Sequence, residues 1–310
     1  MTASAWWRDF RFESGAVHVH KTGARIPVDP GIVRESLDWL LFYLRIEGEL
    51  RRIRRDGPRI WFGPDRPRPW YLIWPAAQLA GLRLASKPEE ADIGFAFEDA
   101  TSGAAPVTGD LPVLNAQCTD VSKTRVSEAF EAVSGRALNV IPEFWRGPMV
   151  IKSEANGVHD GRIVQGPCPA ETGAVHQRLI DTETPDGCVE DLRCPTVDGE
   201  ISTVFMKHRP LGRRFSNRNS VVRLVEPSAA FSEAERDLLR RFCRTMGLDW
   251  GGLDVLRDRR NGEIWVVDVN KTDMGPPSSL PLNEKMVAVR SLARDLRHAC
   301  ERRIRTTGES

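Results

Sequence analysis

Apolar and polar positions recur with two different periods along this chain, and each change of period marks an element. Beyond Asp29 and Pro30, the residues Val33, Leu37, Leu40, Leu41 and Leu44 return at helical spacing, with Asp29 placed to cap the helix and Pro30 in its first turn. Short apolar runs at 59–62, 70–74, 93–97 and 113–115 read as strands, and a short helix at 76–81 lies between the second and third. Strands alternating with helical stretches predict a small α/β layer on a parallel sheet. Ser122 opens a helix that runs through Val133, and strand patterns at 149–152 and 162–164 flank a glycine-bearing turn. Further on, the stretch up to Arg257 and the run 262–270 read as adjacent antiparallel strands with Asn261-Gly262 as a hairpin signal. Met286, Val289, Leu292, Leu296 and Cys300 then predict a helix over 282–305 that covers the sheet.

The last strand pair carries the most informative chemistry. Residues i and i+2 of a strand share a face, so Asp268 and Asn270 aim two oxygen donors at one point. Asp254, on the preceding strand, offers a third. Magnesium prefers hard oxygen ligands and is commonly held by one or two carboxylates while phosphates and waters complete its octahedron. Register decides whether the three converge: a two-residue turn on Asn261 and Gly262 sets Asp254 opposite Val269 and facing away from Asp268. An odd-length loop or a bulge brings Asp254 opposite Asp268 or Asn270, and this register is the one expected. Against it stands the plain reading that Asp268 and Asn270 end a strand and cap a turn.

Other charges fall around this pair. Lys123 sits in the first turn of its helix, where a cation is unfavourable unless an anion is near. Lys152 ends a strand beside Asn156-Gly157 and Asp160-Gly161, and glycine in such a turn lets backbone amides approach a phosphate. Arg193 stands two residues after Asp191 on one strand face, suited to a structural ion pair, and Arg209, Arg213, Arg214 and Arg218 form a basic segment. Arg51, Arg52, Arg54 and Arg55 fit the C-terminal turn of the first helix. His18 and His20 lack the third ligand of a zinc site, and His159 lies in the glycine turn.

Composition narrows the function classes. The 310 residues suffice for two domains, and 44 basic against 43 acidic residues leave a net charge of +1, which argues for neither a nucleic-acid nor a membrane partner. Six cysteines without a Cys-x-x-Cys pair fit a reducing cytoplasm. Arg8, Asp9 and Arg11 come too early for a signal peptide, and no run approaches the ~20 apolar residues of a membrane span. A Walker A loop is absent.

Taken in order, Ser122-Lys123, the strand ending in Lys152, the connector 175–180, Asp191-x-Arg193, Asp254 and Asp268-x-Asn270 resemble the ATP-grasp superfamily over about residues 115–285. The resemblance implies an α/β and α+β architecture: an N-terminal α/β domain at 1–115, a lid subdomain at 116–184 and a core antiparallel-sheet subdomain with the metal site at 185–310. It places ATP between lid and core, with Lys123, Lys152 and Gly157 toward the phosphates and Gln177, Arg178, Leu179 and Ile180 along the adenine slot. Asp254, Asp268 and Asn270 would hold Mg2+, and Lys207, Arg209, Arg214 and Arg218 would serve the transferred phosphoryl group or an acidic substrate. The implied activity is that of an ADP-forming ligase, which turns a small-molecule or peptide carboxylate into an acylphosphate for attack by an amine or thiol. A kinase of a small hydroxyl and a nucleotide-binding protein without turnover are the alternatives, and a homodimer stays open. Two departures from the family pattern stand out: Asp268 where Glu is commoner, and Arg178 where an acidic residue is common. Loops 64–69, 98–109 and 271–279 would choose the substrate.

Overall fold

The computed structural model describes residues 6–19, 24–106, 108–155, 160–215 and 221–308. A three-stranded antiparallel meander, β1 (Phe10–Glu13), β2 (Ala16–Val19) and β3 (Ala24–Pro27), precedes helix α1 (Pro30–Leu50). Asp29 caps α1 by accepting from Ile32 N at 2.9 Å, and Pro30 occupies its first turn, as the local sequence requires. Its periodic residues, however, face outward: Val33, Leu37, Leu40, Leu41 and Leu44 are exposed, while Phe42 and Ile46 enter the core.

A parallel sheet follows in the order β5-β4-β6-β7, from β4 (Arg59–Pro64), β5 (Arg83–Leu84), β6 (Ile93–Phe97) and β7 (Val113–Leu114). The strand expected at 70–74 is not one. Residues Tyr71 to Trp74 are buried, and helix α2 (Ile73–Leu79) starts within the run. A short apolar run has the same pattern in a buried strand and in a helix apolar all round, and here α2 is sandwiched in the core against the C-terminal helix.

Helix α3 (Lys123–Ser134) is capped by Ser122, which accepts from Arg125 N at 3.3 Å. A small antiparallel sheet, β10-β8-β9, is built from β8 (Pro148–Ser153), β9 (Arg162–Gln165) and β10 (Ala174–Arg178). The connector thus enters this sheet as a strand. The largest sheet runs β14-β13-β11-β15-β16 with all pairs antiparallel, using β11 (Cys188–Val197), β13 (Val204–Pro210), β14 (Val221–Val225), β15 (Trp250–Arg257) and β16 (Ile264–Asn270); β12 (Glu200–Ile201) adds to β11. Between β14 and β15 come α4 (Pro227–Ala230) and α5 (Glu233–Met246), the latter opened by a capping box of Ser232 and Glu235 and closed by left-handed Gly247.

The final helix, α6 (Leu282–Gly308), buries Met286, Val289, Leu292, Leu296 and Cys300 in the core shared with α2 and the parallel sheet. Each such side chain contributes about 1.5–3 kcal/mol of transfer free energy, so α6 ties the N-terminal sheet to the rest of the chain. All six cysteines are free thiols. Among the described residues, no helix is long and apolar enough to cross a membrane.

Candidate active site

Strands β15 and β16 meet around residues 258–263, with Arg257 opposite Ile264 and Val255 opposite Val266. Continued regularly, that register would set Asp254 against Val267. A β-bulge intervenes: one extra residue on β16 shifts the pairing, so that Asp254 lies opposite Asp268 and Gly252 opposite Asn270. Directly opposed residues share a face, which brings both carboxylates and the Asn270 amide to one side of the sheet. This is the expected register, reached through the bulge and not through a two-residue turn.

The bulge has a second consequence. Its extra residue, Val267, leaves a carbonyl out of the ladder, and Lys152 Nζ from β8 donates to it at 3.1 Å. Burial pushes the Lys152 ammonium pKa down, and the facing Asp268 only partly opposes this, leaving it at about 8. Lys123 Nζ lies 3.3 Å from Asp268 Oδ1 and donates to Ala155 O at 3.2 Å. The anion expected near the α3 N-terminus is present twice over, because Glu154 also accepts from Thr124 N at 3.1 Å and from the Thr124 hydroxyl.

Asp254 is held on the other side. Arg193 Nη1 lies 2.9 Å from its Oδ2, and the same guanidinium reaches Asp273 Oδ1 at 2.6 Å. Burial alone would raise the Asp254 pKa, but the Arg193 and Lys207 charges overrule it and hold the carboxyl at about 2. Arg193 therefore does not pair with Asp191, the near neighbour on its own strand. Asp191 pairs instead with Arg209, at 2.6 Å. Gly252 is what makes room: a Cβ there would come within 2.3 Å of Asp273 Oδ2 and 2.7 Å of Arg193 Nε. Asn270 Oδ1 accepts from Thr272 N at 3.0 Å, and the Thr272 hydroxyl donates to Asp99 at 2.8 Å. Tyr71 donates its own hydroxyl to the same Asp99 carboxylate, so a chain of bonds runs from the N-terminal layer to Asn270.

The donor set suits magnesium. Asp254 Oδ1 is buried without a hydrogen bond, and Lys207 Nζ stands off from it at 3.9 Å. An anionic oxygen left in that condition wants a cation. Among the described residues no three His, Cys, Asp or Glu side chains group as metal ligands, and Asp254, Asp268 and Asn270 would leave most of a magnesium octahedron to phosphate and water.

The remaining expected residues divide. Gln177 is buried and donates to Ser127 Oγ at 2.9 Å and Asn139 Oδ1 at 3.3 Å, so its side chain braces β10 against α3. The Arg178 guanidinium stacks over Trp145 at 5.4 Å and Trp265 at 5.0 Å from the ring centroids. Leu179 N donates to Pro148 O at 3.4 Å, and the carbonyl of core residue Ile180 accepts from Arg214 at 3.3 Å. Gly157, His159, Asn217, Arg218, Asn219 and His20 lie outside the described residues. Asp273, Thr272, Asp99, Glu154 and Gly252 were not foreseen. Of these only the Gly251-Gly252 pair carries a local signal, two glycines inside a strand, which marks a close approach.

No protein family matches the chain, and no curated protein does. Among solved structures it is similar to ligases of the ATP-grasp class. D-alanine–D-alanine ligase from Bacillus anthracis shares 12% identity over 80% of this chain and 99% of that one, with a TM-score of 0.49. A RimK-domain ATP-grasp protein from Sphaerobacter thermophilus shares 16% over 77% and 98%, with a TM-score of 0.46. The ATP-grasp ligase PsnB, in complex with a phosphomimetic variant of its minimal precursor, Mg and ADP, shares 15% over 59% of this chain, with a TM-score of 0.39. That last match spans 63% of PsnB's length.

Proposed function

We propose that the chain is an Mg-ATP-dependent, ADP-forming ligase of the ATP-grasp type, with an N-terminal α/β domain at 1–115, a lid at 116–184 and a core at 185–310. The observation that supports it best is the meeting of Asp254 and Asp268 across the bulge, with Lys123 and Lys152 reaching that face from α3 and β8. Carboxylates on one bank and ammonium groups on the other provide what phosphoryl transfer asks of a protein, which is positioning and charge neutralisation. Asp254, Asp268 and Asn270 would hold Mg2+, which when bound neutralises charge on the phosphate oxygens.

The chain's own groups then divide the work. Lys123 and Lys152 neutralise nucleotide phosphate, and Lys207, beside the bare Asp254 oxygen, meets the transferred group. Arg209 is oriented by Asp191, and Arg214 fixes the end of the connector by donating to Ile180 O. The Arg178–Trp265 stack borders the base slot. A substrate carboxylate oxygen attacks the γ-phosphorus, the bond to the ADP oxygen breaks, and ADP leaves. An amine or thiol then attacks the acyl carbon, inorganic phosphate departs, and the nucleophile's proton passes to solvent.

Product analysis tests this reading directly. With Mg-ATP, pooled carboxylic acids and pooled amines and thiols, ADP and free phosphate should appear together. ADP without free phosphate would make the protein a kinase, and neither product would leave a nucleotide-binding protein without turnover.

A further inference from the structure

Helix α1 has two apolar faces, and the molecule uses one. Phe42 and Ile46 enter the core, and Trp39 stacks on Tyr43, which in turn stacks on Trp74. The opposite face presents Val33, Leu37, Leu40, Leu41 and Leu44, each 40–57% exposed, as one stripe. Contiguous apolar surface of this kind marks an interaction site, whereas single exposed apolar residues need no explanation. From Val33 the stripe steps to Leu37, Leu40 and Leu44, by four, three and four residues. That is the 3.5-residue period of a seam against which a second helix packs, and Leu41 widens it.

Two features say which helix fits. Asp38 and Arg45 stand seven residues apart, so both lie along the same edge of the stripe. In an antiparallel pair centred between Leu40 and Leu41, Leu37 meets Leu44 of the second copy, and Asp38 comes within a turn of Arg45 of the second copy, twice by symmetry. The second feature is Gly48, one turn beyond Leu44 on the same face. A Cβ there would meet nothing within 4 Å, so no contact inside the chain asks for glycine, which is a destabilising residue in a helix. In the antiparallel register Gly48 falls opposite Val33, where a missing side chain lets the two helices close. The rim has mixed sign, with Arg34, Asp38, Arg45 and Glu47, unlike the Lys/Arg-rich polar face of a helix that lies on a membrane.

We propose that the occupant of this face is a second copy of the chain, the two α1 helices packing antiparallel about a two-fold axis between Leu40 and Leu41. Seam, edge charges and glycine on one helix then complement their own copies, which is what an isologous contact requires. A seam this short falls among the small interfaces of transient pairs, below about 1,200 Å2 in total, so the dimer dissociates on dilution through the micromolar range. The inference stands apart from the ligase reading, since α1 contributes nothing to the metal site.

Sedimentation equilibrium of the full chain, from about 1 to about 100 μM, tests it. Wild type should pass from monomer to dimer over that range. Leu37→Asp combined with Leu41→Asp should stay monomeric throughout with thermal unfolding unchanged, because both side chains point away from the core. Asp38→Arg and Arg45→Asp should each weaken association about tenfold, since like charges then meet across the edge. An equimolar mixture of these two variants should associate as tightly as wild type, because one brings only cations to that edge and the other only anions. Gly48→Leu should weaken association without lowering the unfolding temperature. A wild type that is monomeric at every concentration, including one that binds vesicles of anionic lipid instead, would overturn the proposal. So would a dimer that survives the paired leucine substitutions or Gly48→Leu, or a mixture that associates no better than its two components.

Discussion

The two banks of the site are built in opposite ways. On the core side, Asp254 is locked by Arg193, which is itself locked by Asp273, and all three sit in or beside the largest sheet. On the proposed lid side, Lys123 and Lys152 reach across from α3 and β8 to Asp268 and to a bulge carbonyl, and Lys152 keeps its charge against the pull of burial. The core bank is charge-balanced within itself. The cations of the second bank are held by Asp268, Ala155 O and Val267 O, oxygens whose place a polyphosphate would take in the proposed function. Under the proposed function, the first bank would be the fixed platform for the metal and the second would supply the cations for phosphate.

Substitutions can break this contrast, beginning with the core bank. Asp254→Ala leaves buried Arg193 with Asp273 alone and Lys207 without a carboxylate, and removing one member of a buried pair costs about 3–5 kcal/mol; chemical denaturation should show that loss. Gly252→Ala forces a methyl group against Asp273 and Arg193, and overpacking of this kind costs about 1–3 kcal/mol. If either variant unfolds like wild type, the core bank is not the rigid half.

Lid-bank substitutions should have the opposite sign for stability. Lys152→Met removes a buried charge at the expense of one hydrogen bond to Val267 O, and should raise stability by about 1 kcal/mol at pH 7 while weakening ATP at least about tenfold. The pH dependence follows from the lowered Lys152 pKa. The folded protein gives up this proton near pH 8 and the unfolded chain only near 10.5, so the penalty stands in full below pH 8 and is relieved as pH rises from about 8 to 10.5. Wild type should gain stability relative to Lys152→Met across that window, as read from parallel denaturation curves. A wild type that loses ground to the variant there would contradict the buried-charge account.

Much of this arrangement was legible in the sequence, for reasons that differ by residue. The strand alternation of Asp268 and Asn270, the cap residues Asp29 and Ser122, and the long apolar stripe of α6 are local signals, and each element formed where its signal lay. Lys123 in a first turn correctly announced an anion but could not say which one, since Glu154 and Asp268 arrive from other elements. The bulge at Val267 was one of two expected ways to align Asp254 with Asp268, yet it has no residue signature, because a one-residue shift depends on how two strands pair. Trp70 to Trp74 misled because apolar density, without period, describes any buried backbone. Asp273 read as loop, and its partner Arg193 comes from a strand far away in sequence. The stripe on α1 shows the limit of periodicity: it foretold a helix and said nothing about which face is covered.

The central claim is that Asp254, Asp268 and Asn270 make one magnesium site for a nucleotide. Its most direct measurement is calorimetric titration of ATP with and without Mg2+, into wild type and into Asp268→Ala combined with Asn270→Ala. Wild type should bind ATP in a magnesium-dependent manner, and the double variant should stay folded and lose that dependence, with affinity down by about two orders of magnitude for the lost coordination and phosphate contacts. ATP binding by wild type that ignores Mg2+, or no ATP binding at all, would contradict the account.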